Sequence, residues 1–185
     1  TGLRDRHALD EVTAVVNFAG ANLGGRRWTA RYKAELVRSR VGNTRLLSST
    51  LAALPHQPRL VSGSAIGIYG TRGASELTEA SPPGTGFVAG MARDWEHATW
   101  AAEEAGIPVA HIRTGIVLSR SGGALGRLLP VVKAGLGGRM GGGEQYWSWI
   151  SLPDHARAVL WLIDHPQITG AVNLTAPEPA PQHEV

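Results

Sequence analysis

The sequence predicts an α/β fold built on a doubly wound, mostly parallel sheet. Three observations predict it. Short β-branched runs alternate with long amphipathic stretches, the pattern of repeated βα units. Segments of small residues follow the strand candidates, where the ligand crevices of such sheets lie. No internal repeat or linker divides the 185 residues, a length that supports a single domain with its own core.

The elements follow in order. The chain opens without Met, in a polar stretch from Thr1 to Glu11, and is expected to be a piece of something longer. The first strand is expected over Ala14–Ala19. A long helix should run from Thr29 to about Leu54, with Leu36, Leu47, Leu51 and Leu54 as apolar positions. Arg59–Ser62 is the second strand. A second helix is predicted from about Gly86 to Gly106, because Val88, Met91, Trp95, Ala98 and Ala102 recur at spacings of three and four. Gly106 is its expected C-cap. The third strand is Val109–Arg113, and a shorter helix from Gly123 to about Ala134 is disturbed at Pro130. Ser151-Leu-Pro-Asp154 has the form of a capping box with proline in the first turn, His165-Pro166 ends that helix, and Ala171–Leu174 is the fourth strand.

Composition removes several functions. With no cysteine there is no disulfide framework, thiol nucleophile or cysteine-based zinc site. The seven histidines are scattered without a His-x-x-x-His pair, so they read as ordinary surface or satisfied residues and no metal is expected. The net charge is +3, and the basic residues, arginine apart from Lys33 and Lys133, are spread along the chain. Nucleic-acid binding would need a clustered basic face, and none is visible. No apolar run approaches the roughly 20 residues that span a bilayer, so no membrane partner is expected.

Three segments stand where chemistry should sit: Phe18-Ala19-Gly20, then Ser62-Gly63-Ser64 continuing to Tyr69-Gly70, then Arg113-Thr114-Gly115-Ile116-Val117. Together they resemble the extended branch of the short-chain dehydrogenase/reductase superfamily. Val16-Asn-Phe-Ala-Gly20 resembles the turn that passes the adenine side of the cofactor. Ser62-Gly-Ser64-Ala resembles the motif whose serine hydrogen-bonds the reacting oxygen, and Ser64 matches that serine. Arg113 to Val117 resembles the segment whose backbone passes the nicotinamide. A narrower resemblance is to the atypical epimerase family, the nucleoside-diphosphate-sugar epimerase-like proteins. It rests on Arg26-Arg-Trp28, Ala92-Arg-Asp-Trp-Glu96, Arg113-Thr-Gly-Ile-Val-Leu118, Gly122-Gly-Ala-Leu, Leu136-Gly-Gly, Gln145-Tyr-Trp-Ser-Trp-Ile150 and Asn173-Leu-Thr-Ala-Pro-Glu-Pro179.

The resemblance implies a Rossmann-like domain over residues 1–185, incomplete at its N-terminal half, with substrate-side segments at about 120–150. It implies an NAD(P)-dependent epimerase/dehydratase-like oxidoreductase, cytoplasmic, with NADP slightly favoured over NAD and a small-molecule substrate. The alternative is a sensor or scaffold that binds the dinucleotide without turning it over. Ser64 is the catalytic candidate. Phe18, Ala19, Gly20, Ser62, Gly63, Arg113, Thr114, Gly115, Ile116 and Val117 are expected at the cofactor; Tyr69, Arg93 and Trp149 at the substrate. Each side chain also has a plainer reading: a turn cap for Ser64, a structural ion pair for Arg113, a surface salt bridge for Arg93, core packing for Trp149.

Two departures qualify the family pattern. The opening strand and its Gly-x-x-Gly-x-x-Gly turn, which would hold a pyrophosphate at a helix N-terminus, do not stand ahead of the first strand here, and the glycines at 135–143, which follow a helix, read as a loop. The first strand should therefore form an open edge, inviting pairing between chains and a possible homo-oligomer. Ordinary members also carry Tyr-x-x-x-Lys, in which the lysine lowers the tyrosine's pKa. Here none of Tyr32, Tyr69 and Tyr146 has lysine four residues later, and alignment on Trp95-Glu96 puts Val88 and Ala92 at the two places.

Overall fold

A computed structural model describes residues 9–120, 122–135, 138 and 142–184. Residues 1–8 of the polar opening, and Leu136 and Gly137 of the glycine-rich stretch, lie outside them. The chain forms β1 (Ala14–Asn17), α1 (Ala30–Val37), a π turn (Arg38–Gly42), α2 (Asn43–Ala52), β2 (Arg59–Ala65), a 3₁₀ turn (Ile66–Tyr69), α3 (Phe87–His97) and α4 (Trp100–Glu104). It continues through β3 (Val109–Thr114), β4 (Ile116–Ser119), α5 (Gly123–Lys133), β5 (Tyr146–Trp147), β6 (Trp149–Ser151), α6 (Leu152–Asp164), β7 (Gly170–Leu174) and β8 (Ala180–Pro181).

The main sheet is parallel in the order β1-β2-β3-β7, with Val16 beside Val61, Ser64 beside Arg113 and Arg113 beside Asn173. Alternate residues of β2 and β3 face opposite sides, as a pleated strand requires. Leu60 and Val109 pack with Leu51, Ala102 and Ile107. Val61 and Ile112 pack with Val159 and Leu162 of α6 and Leu174 of β7. Helices thus cover both faces, as the doubly wound reading expected. Two short pairs, β4 with β6 and β5 with β8, extend the chain beyond the carboxyl end of β3.

The differences from expectation lie at element ends. The first strand stops at Asn17, because its Oδ1 accepts from the Ala19 N–H at 3.1 Å while Nδ2 donates to Thr44 Oγ1 at 2.8 Å. Thr29 caps α1, its side chain accepting from Tyr32 N, but the long helix widens at Arg38–Gly42 and ends at Ala52. The helix expected to Gly106 breaks at Ala98–Thr99. There Ser48 Oγ donates to the Thr99 carbonyl and accepts from Ala102 N, both at 2.9 Å, so a side chain enters the helical ladder. The second strand runs on to Ala65 through Gly63, where a Cβ would stand 2.9 Å from the Trp95 ring and 3.1 Å from the Asn17 carbonyl. Glycine is what lets α3 lie this close to the sheet. Ser151 caps α6 as expected, accepting from Asp154 N at 3.1 Å, with Pro153 in the first turn.

Candidate functional site

The carboxyl ends of β1, β2 and β3 open onto a cavity of about 330 Å³. Phe18 follows β1 on its wall, Gly63, Ser64 and Ala65 come from β2, and Thr114 and Val117 from β3 and β4. From α3 come Val88, Met91, Ala92 and Trp95; Leu23, Arg40 and His155 complete the lining. Of the sequence candidates, Phe18, Gly63, Ser64, Thr114 and Val117 are therefore brought together. Val88 and Ala92, at the places of the family's tyrosine and lysine, face the same space.

Beside this cavity lies a network of charge. Arg113 grips Glu96 with both ends of its guanidinium, Nε to Oε1 at 2.8 Å and Nη2 to Oε2 at 2.9 Å. Its Nη1 donates to Tyr69 Oη at 2.9 Å and to the Glu79 carbonyl at 3.1 Å. Ser64 Oγ donates to Glu96 Oε1 at 2.6 Å. Burial would raise the Glu96 carboxyl, but the hydrogen bonds from Arg113 and Ser64 and the Arg113 charge outweigh it and hold the group below the usual range. The same hydrogen bonds donated to Glu96, against burial, push Arg113 upward.

Several expected ligand contacts are not brought to the cavity. The Arg113 side chain is a structural ion pair, since four of its five N–H groups are taken within the protein. Tyr69 is only 3% exposed and its hydroxyl donates to Asn173 Oδ1 at 2.7 Å, so it packs under the sheet end. Arg93 is exposed, 3.6 Å from Asp94. Trp149 donates from Nε1 to the Glu178 carbonyl at 3.1 Å. Ser62 is fully buried within β2. Gly115 is required by the chain itself: a Cβ there would stand 2.3 Å from the Ser148 carbonyl, which accepts from Ile116 N at 2.8 Å. Ala19 and Gly20 are exposed and not part of the lining, and a Cβ on Gly20 would meet Arg40 Cζ at 2.9 Å.

Two titratable residues on the cavity wall, Arg40 and His155, are not among the site residues the sequence suggested. Arg40 is only 7% exposed and its guanidinium lies over the Trp95 ring at 5.2 Å. Nη1 donates to the Leu36 carbonyl at 3.3 Å, while the buried Nε has no hydrogen-bond partner. Burial lowers its pKa against a smaller opposing effect of Tyr32, yet it remains a cation. In sequence it is one arginine among several on a helix; the π turn that aims it inward leaves no signal there. His155 stands in the first turns of α6, its Nε2 3.1 Å from Thr114 Oγ1 and its ring 5.6 Å from that of Phe18. Burial lowers its pKa. The Ser151 cap fixes where α6 begins, and was the available signal that His155 turns back toward the strand ends.

Among the described residues no group of histidines and acids is arranged to hold a metal ion, and no helix is long and apolar enough to cross a membrane.

Comparison with known proteins gives the chain its relatives. An epimerase family protein of Mycobacterium bovis is 44% identical over 184 residues, covering 100% of this chain and 61% of the relative. The chain thus spans about six tenths of the length of the curated relatives it matches most fully. Among solved structures, a nucleoside-diphosphate sugar epimerase of Corynebacterium glutamicum superposes with a TM-score of 0.83 at 36% identity, covering 97% of this chain and 38% of the other. A human epimerase family protein solved with NADPH superposes with a TM-score of 0.88 at 29% identity, covering 97% and 63%. The family model of NAD dependent epimerases and dehydratases matches residues 3–174. With its parallel sheet and the cavity at its strand ends, this chain belongs to the NAD dependent epimerase/dehydratase family.

Proposed function

We propose that this chain supplies the nicotinamide and substrate side of an NAD(P)-dependent, epimerase-like oxidoreductase acting on a small molecule. The observation that carries the proposal is the cavity itself. It opens at the carboxyl ends of three adjacent parallel strands, where doubly wound sheets bind ligands, and it holds one buried cation whose Nε is unpartnered. A nicotinamide and its ribose fit such a space: an apolar wall from Val88, Met91, Ala92 and Trp95 for a ring, and Arg40 for polar oxygens. When bound, the dinucleotide supplies hydride transfer to and from carbon. The human relative's NADPH supports NADP as the cofactor. Phe18, Ala19, Gly20, Ser62, Gly63 and the backbone from Arg113 to Val117 form the cofactor side in this reading. A cytoplasmic location goes with it, as does a homo-oligomer.

Ser64 then has a defined part. Its proton goes to Glu96, so toward the cavity it offers lone pairs and holds a substrate by accepting from a hydroxyl. Ser64→Ala in the full-length protein should slow turnover and leave dinucleotide affinity nearly unchanged. Equal loss of affinity would make Ser64 a binding residue instead. The test of the proposal as a whole is a structure of the full-length protein with NADPH. A nicotinamide outside the cavity bounded by Ser64, Thr114 and Arg40 would sink it.

One observation favours a second reading, a dinucleotide-binding sensor without turnover: Val88 and Ala92 carry no exchangeable proton where the family's pair stands. NADPH oxidation across a panel of carbonyl compounds separates the two.

A further inference from the structure

Reduction of a carbonyl, or oxidation of a hydroxyl, moves one proton for every hydride, so a redox site needs a group that exchanges protons near neutral pH. Few side chains on the cavity wall can meet that need. Ser64 directs its hydroxyl proton into a hydrogen bond to a carboxylate held ionised by Arg113, and Arg40 is a permanent cation. Val88 and Ala92 are hydrocarbon. Of the lining residues one side chain remains whose ordinary titration falls in the required range, His155.

We propose that Thr114 and His155 form the proton relay of this site, in the place left by the missing tyrosine and lysine. The inference rests on the redox reading above. Thr114 Oγ1 stands at the end of β3 on the cavity wall, with His155 Nε2 at 3.1 Å, nearer than its other partner, the Ile112 carbonyl at 3.4 Å. In the oxidising direction a substrate hydroxyl gives its proton to Thr114 Oγ1 as Thr114 passes its own to Nε2. The hydride leaves for the oxidised nicotinamide dinucleotide, and a carbonyl and an imidazolium remain. Reduction runs the same transfers backwards.

The surroundings suit that direction. The only other charged side chain on the wall is Arg40, from the α1–α2 segment; Phe18 and Thr114 are neutral. On α6 itself, Asp154 and Arg157 are exposed and paired with each other at 3.0 Å. Burial lowers the imidazole's pKa, so at neutral pH it waits as the base.

The test uses the full-length protein. Histidine NMR follows the titration of His155, assigned through His155→Asn, alone and with saturating NADP⁺ or NADPH. A positive nicotinamide near the imidazolium should lower the titration midpoint roughly threefold in proton affinity, and NADPH should lower it less. With a carbonyl compound that is turned over, His155→Asn and Thr114→Val should each lower kcat on the order of 10²-fold, with NADPH affinity unchanged and Thr114→Ser retaining most of the rate. Bound NADP⁺ that leaves His155 unmoved, or variants with an unchanged kcat, would overturn the relay alone. A protein that binds NADPH but reduces nothing would overturn it in favour of the sensor. Failure to bind dinucleotide would overturn the parent reading.

Discussion

Arg113 and Glu96 face each other as a two-pronged ion pair, with side chains only 9% and 14% exposed, at the junction of β3 and α3. This pair stands beside the cavity and braces one of its lining residues, Ser64. It fixes Glu96, Glu96 fixes the Ser64 hydroxyl, and the same guanidinium holds Tyr69 against the sheet end. Of the two readings of Arg113, ligand contact and structural ion pair, its guanidinium takes the second in this structure.

Glu96→Ala should destabilise the fold by about 3–5 kcal/mol, because it strands a buried guanidinium. Replacing both partners, Glu96→Leu with Arg113→Met, should cost much less. Urea unfolding of the two variants decides it. Equal losses would mean that the charge pair has no particular role.

The carboxylates give the stability an acid limb. Glu96 and Glu103 are both held below the usual glutamate value of about 4.3, Glu103 chiefly by its hydrogen bond from His111 against burial. A carboxyl depressed in the folded state contributes stability above its unfolded pKa and loses it as pH falls through the folded one. Unfolding free energy should therefore decline as pH falls below about 4.3, in addition to the loss that the depressed imidazole of His155 brings as pH falls below its ordinary value of about 6.5. A Glu96→Gln variant should show a shallower decline; an identical slope would remove Glu96 from this account.

Gly63→Ala should cost about 1–3 kcal/mol, the usual range for overpacking, because the new methyl meets the Trp95 ring and the Asn17 carbonyl together. Thermal melts of this variant beside Gly90→Ala, where a Cβ meets nothing within 4 Å, make the comparison. A Gly63 variant as stable as the Gly90 one would show that α3 shifts freely.

Ser151→Ala should cost about 1 kcal/mol, since it removes the hydroxyl that caps α6. His155 sits in the first turns of that helix, so fraying should also loosen its bond to Thr114. A faster-exchanging amide at Asp154 or His155 by hydrogen exchange is the expected sign. Unchanged protection would detach the cap from the site.

The chain of 185 residues should by itself bind NADPH weakly, because its residues ahead of β1 carry no Gly-x-x-Gly-x-x-Gly turn to hold the pyrophosphate. Among the described residues β1 pairs only with β2, and Val16 within it and Phe18 just after it are 38% and 50% exposed. Such an edge should make the isolated chain self-associate. Fluorescence of its six tryptophans under NADPH titration tests the first expectation, and light scattering the second. Micromolar binding by a well-behaved monomer would contradict both.

The strands and helices were legible because their signals are local. The β-branched runs at Val15-Val16, Leu60-Val61 and Val109 to Ile112, the three-and-four spacing from Val88 to Ala102, and the Ser151 cap each act within a few residues. The small-residue segments likewise showed where the crevice would open. What a side chain does there was decided by the tertiary structure. Arg113 became structural because Glu96 arrives from a helix 17 residues away, and a buried cation takes the carboxylate in reach. Arg40 points inward because a π turn, formed where α1 and α2 pack beneath Trp95, rotates the helix at that point. His155 meets Thr114 across 41 residues, a distance that no local pattern encodes. Periodicity fixes which face of an element is buried; only the packing of distant elements fixes which polar groups meet, because each contact depends on both.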